Sequence, residues 1–301
     1  MNTSNAKTLR LLFPQWQGGN NPPYHFGAQL LSWLAPEAHG PVAEVPVIAP
    51  VTAPVTAPSD EQLPIEHGIR GRSALLRQLR SARAIIDEHA PDRLVVLGGD
   101  CLVDLAPFAY LNERYAGDLA VLWVDAHPDV LTPRDFPNAH AMVLGHLLGE
   151  GDADFAGTVK LALKPANVMY AGLMETSHVE NSVIERLGLQ HASPAQLADN
   201  SEPVLQWLRS TGAKHLAIHL DLDVLDPNGF RSVLFADPQA AAGAFDGVAQ
   251  GNMTISHVVR LLTDVAAVTD VVGIGIAEHL PWDALALKNM LARLPLIGSA
   301  V

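Results

Sequence analysis

A single cysteine, Cys101, stands among the 301 residues, so no intrachain disulfide can form and a reducing, cytoplasmic setting is expected. No apolar run approaches the ~20 residues that a membrane-spanning helix needs. The N-terminus has Lys7 and Arg10 but no apolar stretch before Pro14, so no secretory leader is visible. Basic residues are scarce as well. There are 19 Lys and Arg against 32 Asp and Glu, a formal net charge of −13. Without a basic field, neither nucleic acid nor an anionic membrane is expected as a partner. The acidity is compatible with a metal ion or a cationic substrate, although solubility alone accounts for it. Only 17% of residues are charged and 49% are apolar, which leaves ample material for a core and argues against disorder.

What is present is an alternation of short strand-like runs with amphipathic ones, the pattern of an α/β fold with a mostly parallel sheet. Strands are expected at 9–13, 42–48, 93–97, 119–124, 166–171, 215–220 and 271–276. Helices are expected at 27–34, 71–89, 102–115, 140–148, 177–187, 201–210, 254–268 and 281–294, on apolar residues such as Leu75, Leu76, Leu79, Ala82 and Ile85 at helical spacing. Ala49–Pro58 is a small Pro-rich repeat. It reads as a loop inside one domain spanning 1–301, because the ~50 residues before it are too few for an independent core. Residues 227–252, rich in Gly, Ala, Asp and Pro, read as a long loop of the kind that forms lids or substrate walls.

Chemistry concentrates in two acidic clusters. Asp125-Ala126-His127-Pro128-Asp129 and His219-Leu220-Asp221-Leu222-Asp223-Val224-Leu225-Asp226-Pro227 each follow an apolar run. If these segments stay extended, Asp125, His127 and Asp129 share one face, and Asp221 and Asp223 another. That many carboxylates could not be buried together cheaply without cations, so a site for one or two divalent metals is expected. Gly98-Gly99-Asp100-Cys101 and Glu278 fall at the ends of two further strands. In open parallel sheets ligands collect at the carboxyl ends of strands, so four segments converge there.

Together Gly98–Cys101, Asp125–Asp129 and Asp221–Pro227 resemble the three signatures of the ureohydrolase family of arginases, agmatinases and formiminoglutamases, in order and spacing over roughly Leu9 to Leu294. The resemblance implies a three-layer α/β/α domain, commonly in trimers or hexamers, that hydrolyses guanidino groups at a two-manganese site. Carried over, Asp125 and Asp221 would bridge two ions, His127 and Asp223 would complete one site and Asp129 the other. His140 is similar to the family's proton-shuttle histidine, and Glu278 to the carboxylate that pairs with the substrate guanidinium. Asp100 reads as a loop-fixing carboxylate, Asp226 as a turn former, and His219 as a strand residue rather than a ligand.

Two departures stand out. Cys101 occupies the position of a metal-ligating histidine; a thiolate favours Zn²⁺, Ni²⁺ or Co²⁺ over Mn²⁺, whereas a neutral thiol would leave the first site weak. Leu131 and Phe136-Pro137 stand where arginases carry polar groups for the amino acid's carboxylate, and Gly172–Ser177 lacks their paired aspartates. The expected substrate is therefore a guanidino or amidino compound other than free arginine. The alternative is a non-catalytic ureohydrolase-like subunit with a partial metal site. A one-zinc amidohydrolase of the deacetylase type is disfavoured because the chain has no His-His pair.

Overall fold

The computed structural model describes residues 6–50 and 63–294. One sheet of eight parallel strands takes β1 (Thr8–Phe13), β2 (Val42–Glu44), β5 (Arg93–Gly98), β6 (Leu119–Val124), β7 (Val168–Ala171), β8 (Gln190–Ala192), β9 (His215–Asp221) and β10 (Asp270–Ala277). Their order across the sheet is β2-β1-β5-β10-β9-β6-β7-β8. A separate antiparallel hairpin joins β3 (Ile65–Glu66) to β4 (Ile69–Arg70). The helices are α1 (Pro23–Leu34), α2 (Arg72–His89), α3 (Leu105–Arg114), α4 (Val143–Leu147), α5 (Ala153–Ala156), α6 (His178–Leu187), α7 (Glu202–Thr211), α8 (Ile255–Val268) and α9 (Trp282–Leu291).

The pleat sorts side chains into two apolar layers. On β6, Leu119, Val121 and Trp123 pack with α2 through α6, while Ala120, Leu122 and Val124 pack with α7 and α8. All six β6 residues are buried, as a central strand covered on both faces must be. The expected three-layer α/β/α arrangement is thus observed. Among the described residues no helix is long and apolar enough to cross a membrane.

Differences from the expected elements have local causes. The second strand stops at Glu44 instead of continuing to Ile48, because Pro46 has no N–H to donate. The helix expected over 102–115 splits into a 3-10 turn, Cys101–Asp104, and α3, with Pro107 in the first turn of α3, where its missing N–H is harmless. Likewise 140–148 becomes a 3-10 turn, Ala139–Met142, followed by α4. Pro165 to Asn167 form a turn that delays β7 to Val168, and the Asn167 side chain donates to Leu119 O at 3.0 Å. The three-residue edge strand β8 and the β3–β4 hairpin are too short to show a period. Most of the 49–58 repeat lies outside the described residues.

Candidate metal centre

The carboxyl ends of four adjacent strands, β5, β10, β9 and β6, supply the site. After β5, Gly99 passes so close to Gln15 that an added Cβ would lie 1.7 Å from its carbonyl oxygen. Asp100 turns inward and accepts from the N–H groups of Gly18 (2.8 Å), Gly19 (3.3 Å) and Leu102 (3.1 Å). Burial pushes its carboxyl up to about 7, against the pull of those donors. It fixes the loop, as expected, and this presents Cys101. The buried thiol donates to Asp221 Oδ2 at 2.9 Å, and Glu278 Oε1 lies 3.6 Å from its sulfur.

The two acidic motifs converge by a different route from the expected one. Neither continues as extended backbone past its strand. β6 ends at Val124, and β9 gives way at Leu222 to a 3-10 turn. Asp125 Oδ1 instead accepts the His127 N–H at 2.7 Å, and Asp221 Oδ1 accepts the Asp223 N–H at 2.7 Å. Both are Asx turns, in which a carboxylate caps the backbone two residues on. This folding-back brings His127 Nδ1 to 3.1 Å from Asp223 Oδ2 and 3.6 Å from Asp125 Oδ1. His127 Nε2 faces Ala249 O at 3.0 Å and donates its N–H there, so Nδ1 is the nitrogen turned to the carboxylates, protonated against them and able to exchange that proton for a cation.

Among the described residues, three sets of potential ligands have donor atoms within 4.8 Å of one another: Cys101, Asp125, His219 and Asp221; Asp125, His127 and Asp223; and Asp221, Asp223 and Glu278. Six of the expected site residues are therefore brought together, with Asp125, Asp221 and Asp223 each shared between two sets. Asp129 and His140 join none of these sets. Asp129 is nonetheless buried beside them, at a φ of +53°, and its Oδ2 has no partner. His140 is held by its N–H and its Nδ1, at 3.2 and 2.9 Å from Gly18 O.

The electrostatics suit divalent cations. Burial, reinforced by neighbouring carboxylates, pushes Asp129, Asp221 and Glu278 well above the usual carboxylate range, and burial raises Asp125. Burial opposes ionisation of Asp223 and His127 too, but each other's charge wins, holding the acid low and the imidazole high. Burial first and Asp221 second raise the Cys101 thiol. Asp223 Oδ1 and His219 Nε2 are buried without partners. Oxygen-rich donors with unused lone pairs fit hard or borderline divalent ions.

Three contributors escaped sequence reasoning. His219 is a strand residue, as expected, yet its ring belongs to a ligand set; its position two before Asp221, on the same face of β9, was the available signal. Asp104 binds His219 Nδ1 at 2.7 Å. Tyr24 donates its hydroxyl to Glu278 Oε2 at 2.5 Å across 254 residues of sequence, a pairing no local pattern carries. Glu278 itself sits at a φ of +64°, its N–H bound to Gly99 O at 2.7 Å. A non-glycine residue kept in that region by its surroundings is common at functional sites. Asp226 forms the expected turn, accepting the Asn228 N–H at 2.8 Å.

Comparison with known proteins gives the family and the fold. The Arginase family profile matches residues 54–282. The arginase of Staphylococcus aureus is 27% identical over 140 residues, covering 44% of this chain and 46% of that protein. Arginase-1 of Xenopus laevis is 30% identical over 123 residues, covering 37% and 39%. The chain thus matches less than half the length of these relatives. In structure, the Entamoeba histolytica arginase solved with L-ornithine superposes with a TM-score of 0.74 at 18% identity, over 96% of this chain and 98% of that one. Formimidoylglutamase from Bacillus subtilis gives 0.63 at 14% identity, over 93% and 82%. The latter two establish the shared fold. With the family profile running through all three motifs and up to α9, the chain belongs to the arginase family.

Proposed function

We propose that this protein is a divalent-metal hydrolase that cleaves a linear C–N bond of a guanidino or amidino compound other than free arginine. The observation that carries the reading is the buried cluster of carboxylates shared between ligand sets, with His127 as its charged partner. Bound Mn²⁺, or Zn²⁺, Ni²⁺ or Co²⁺ given the thiol, would lower the pKa of water at the site and so supply a nucleophile at neutral pH.

The chain's own groups do the rest. Asp125 and Asp221 would be shared between two cations, and Asp223, also in two sets, would support them. Asp129 adds a carboxylate oxygen with no competing hydrogen bond. Glu278, steadied by the Tyr24 hydroxyl, offers a carboxylate to the planar guanidinium, whose N–H groups match it in charge-assisted bonds. His140 is anchored through Nδ1 to Gly18 O, which leaves Nε2 to accept a proton and hand it to the leaving amine. Burial lowers its pKa, so it is neutral and able to take that proton near pH 7.

The surroundings favour a substrate without arginine's charged end. Phe136 stands edge-on to His140, with ring centroids 6.0 Å apart, an apolar neighbour where a carboxylate would want donors. Leu173, Met174, Glu175 and Thr176 line a cavity of ≈ 430 Å³ beyond β7, which includes none of the proposed ligands. Met174 N–H is tied to Ala126 O at 3.1 Å, beside the Asp125 turn. Protein loaded in turn with Mn²⁺, Zn²⁺, Ni²⁺ and Co²⁺ should release urea or ammonia from members of a guanidine and amidine panel. Silence across the panel would sink the activity, and arginine as the best substrate would sink the specificity.

A further inference from the structure

His219 reaches the site from the floor of the sheet. On β9 its neighbours in register are Trp123 of β6 and Gly275 of β10. The Trp123 indole stacks on the imidazole at 3.8 Å between centroids, 15° from parallel, which fixes the ring plane. On the other side Gly275 makes room for Asp104; a Cβ there would sit 2.0 Å from both carboxylate oxygens. Asp104 Oδ2 receives Nδ1 at 2.7 Å, and both side chains are fully buried. His219 Nε2 is left facing Asp125 Oδ2 at 3.8 Å, with no hydrogen-bond partner.

We propose that His219, oriented by Asp104, supplies the imidazole that Cys101 does not, making the inner metal position a Cys101–Asp125–His219–Asp221 set of sulfur, oxygen and nitrogen donors. The inference rests on the metal-centre half of the proposed function and deepens it. A ligating histidine characteristically gives its other N–H to a carboxylate, which fixes the tautomer and makes the metal-facing nitrogen more basic. The Asp104–His219 pair has that form, with the free nitrogen in a set whose donors all lie within 4.8 Å. An unpartnered buried polar atom opposes folding, and a metal bond at Nε2 removes the deficit. The rival arrangement is a doubly protonated imidazolium between Asp104 and Asp125, serving packing alone. It would leave no lone pair for a cation.

The donor chemistry shifts the expected metal. One thiolate and one imidazole beside two carboxylates suit Co²⁺ or Zn²⁺ better than Mn²⁺, which prefers oxygen. The thiol proton leaves as the cation binds, so loading of this position improves as pH rises. The outer set, Asp125, His127 and Asp223, contains no sulfur.

The test is metal ligation in the full chain, without substrate. Wild-type protein saturated with Co²⁺ should show a thiolate-to-cobalt charge-transfer band. Its X-ray absorption should count one sulfur and two imidazoles for every two cobalt ions. One imidazole, or no sulfur, would overturn the proposal without reference to any variant. His219→Gln should abolish the band or weaken the inner cobalt by more than a hundredfold, and Asp104→Asn should weaken it by about 10–100-fold, the usual effect of losing an outer-shell partner. Unchanged affinity and spectrum in a folded His219→Gln protein would refute it equally. Ligation through Cys101 and His219 with no guanidine hydrolysis would remove the proposed activity and leave this proposal standing; hydrolysis with one imidazole would do the reverse.

Discussion

Two regions of this molecule gather charge and treat it in opposite ways. Between α2 and α3, Arg83 is gripped by Glu113 through paired bonds of 2.8 and 2.7 Å, and its Nε reaches Asp87 at 2.9 Å. Every carboxylate there has a guanidinium, and Glu113 is held below the usual range by its bond to Arg83. At the strand ends, Asp125, Asp129, Asp221 and Glu278 are driven upward by burial, and the cation set among them is the His127 imidazolium. The seam is electrically complete and the cluster is not. Charge left unbalanced in the most buried part of a sheet is a signature of a partner from outside, because burying it unpaired opposes folding.

The sharpest way to break the contrast is to remove a shared carboxylate. Asp221 belongs to two ligand sets and receives the Cys101 thiol. Asp221→Asn should therefore loosen both cations and lower hydrolysis by more than the roughly 10–100-fold typical of an outer-shell loss. Metal content by atomic spectroscopy and the steady-state rate should fall together. If the rate fell while two ions stayed bound with wild-type affinity, Asp221 would not be a bridging ligand.

The cluster should also give the protein an unusual pH response when chelator is present. Asp100, at about 7 in the folded chain against about 3.8 when free, keeps a proton that the unfolded chain has already lost. Asp129, Asp221 and Glu278 act in the same direction. The native state then binds more protons than the unfolded one, so stability is greatest on the acid side and falls as pH rises from about 4 to 7. Asp100 alone accounts for on the order of 4 kcal/mol, since one unit is worth about 1.4. Added metal should reverse the slope, because it binds the deprotonated groups. Melting temperatures across that range, with chelator and with Co²⁺, would decide it; a flat chelated profile would mean the carboxylates are ionised and hydrated.

How much of this was readable beforehand divides along the same line. Strands such as β6 and β9 follow from dense apolar runs, and the motifs at their ends named Asp125, His127, Asp221 and Asp223. The mechanism of convergence does not follow, since the motifs' spacing suggests extended alternation where Asx turns fold them back. His219 lay in view at the right spacing but lacked its meaning until Asp104, 115 residues away in sequence, was placed beside it. Tyr24 and Arg83 depend on which helix rests on which strand or helix. Side chains that meet only through tertiary packing leave no local period to read.

A second steric test has an intermediate size. Gly275→Ala puts a methyl group onto Asp104, whose oxygens lie 2.0 Å from the new atom, in a wall of buried neighbours. Such overpacking costs about 1–3 kcal/mol. The contrast sharpens if the inner cobalt is lost more readily than the outer one, read from the charge-transfer band during chelator titration. Equal loss of both would show a general distortion of the sheet.

The smallest effect is expected at the seam. Arg83→Met keeps an unbranched stem to pack near Tyr110, whose ring the guanidinium faces at 5.6 Å, but removes the charge. With Arg83 and Glu113 side chains 21% and 19% exposed, the loss should be about 1 kcal/mol, near the upper end for surface pairs. Because the folded pKa of Glu113 is depressed, the pair's contribution is present above the unfolded value near 4.5 and is lost as pH falls through the folded one. Wild type and variant should therefore differ at neutral pH and converge in acid, as followed by urea denaturation. That slope is opposite in sign to the chelated cluster's. A protein whose paired charges fail in acid and whose unpaired ones fail toward neutrality keeps both regions only when a cation occupies the second.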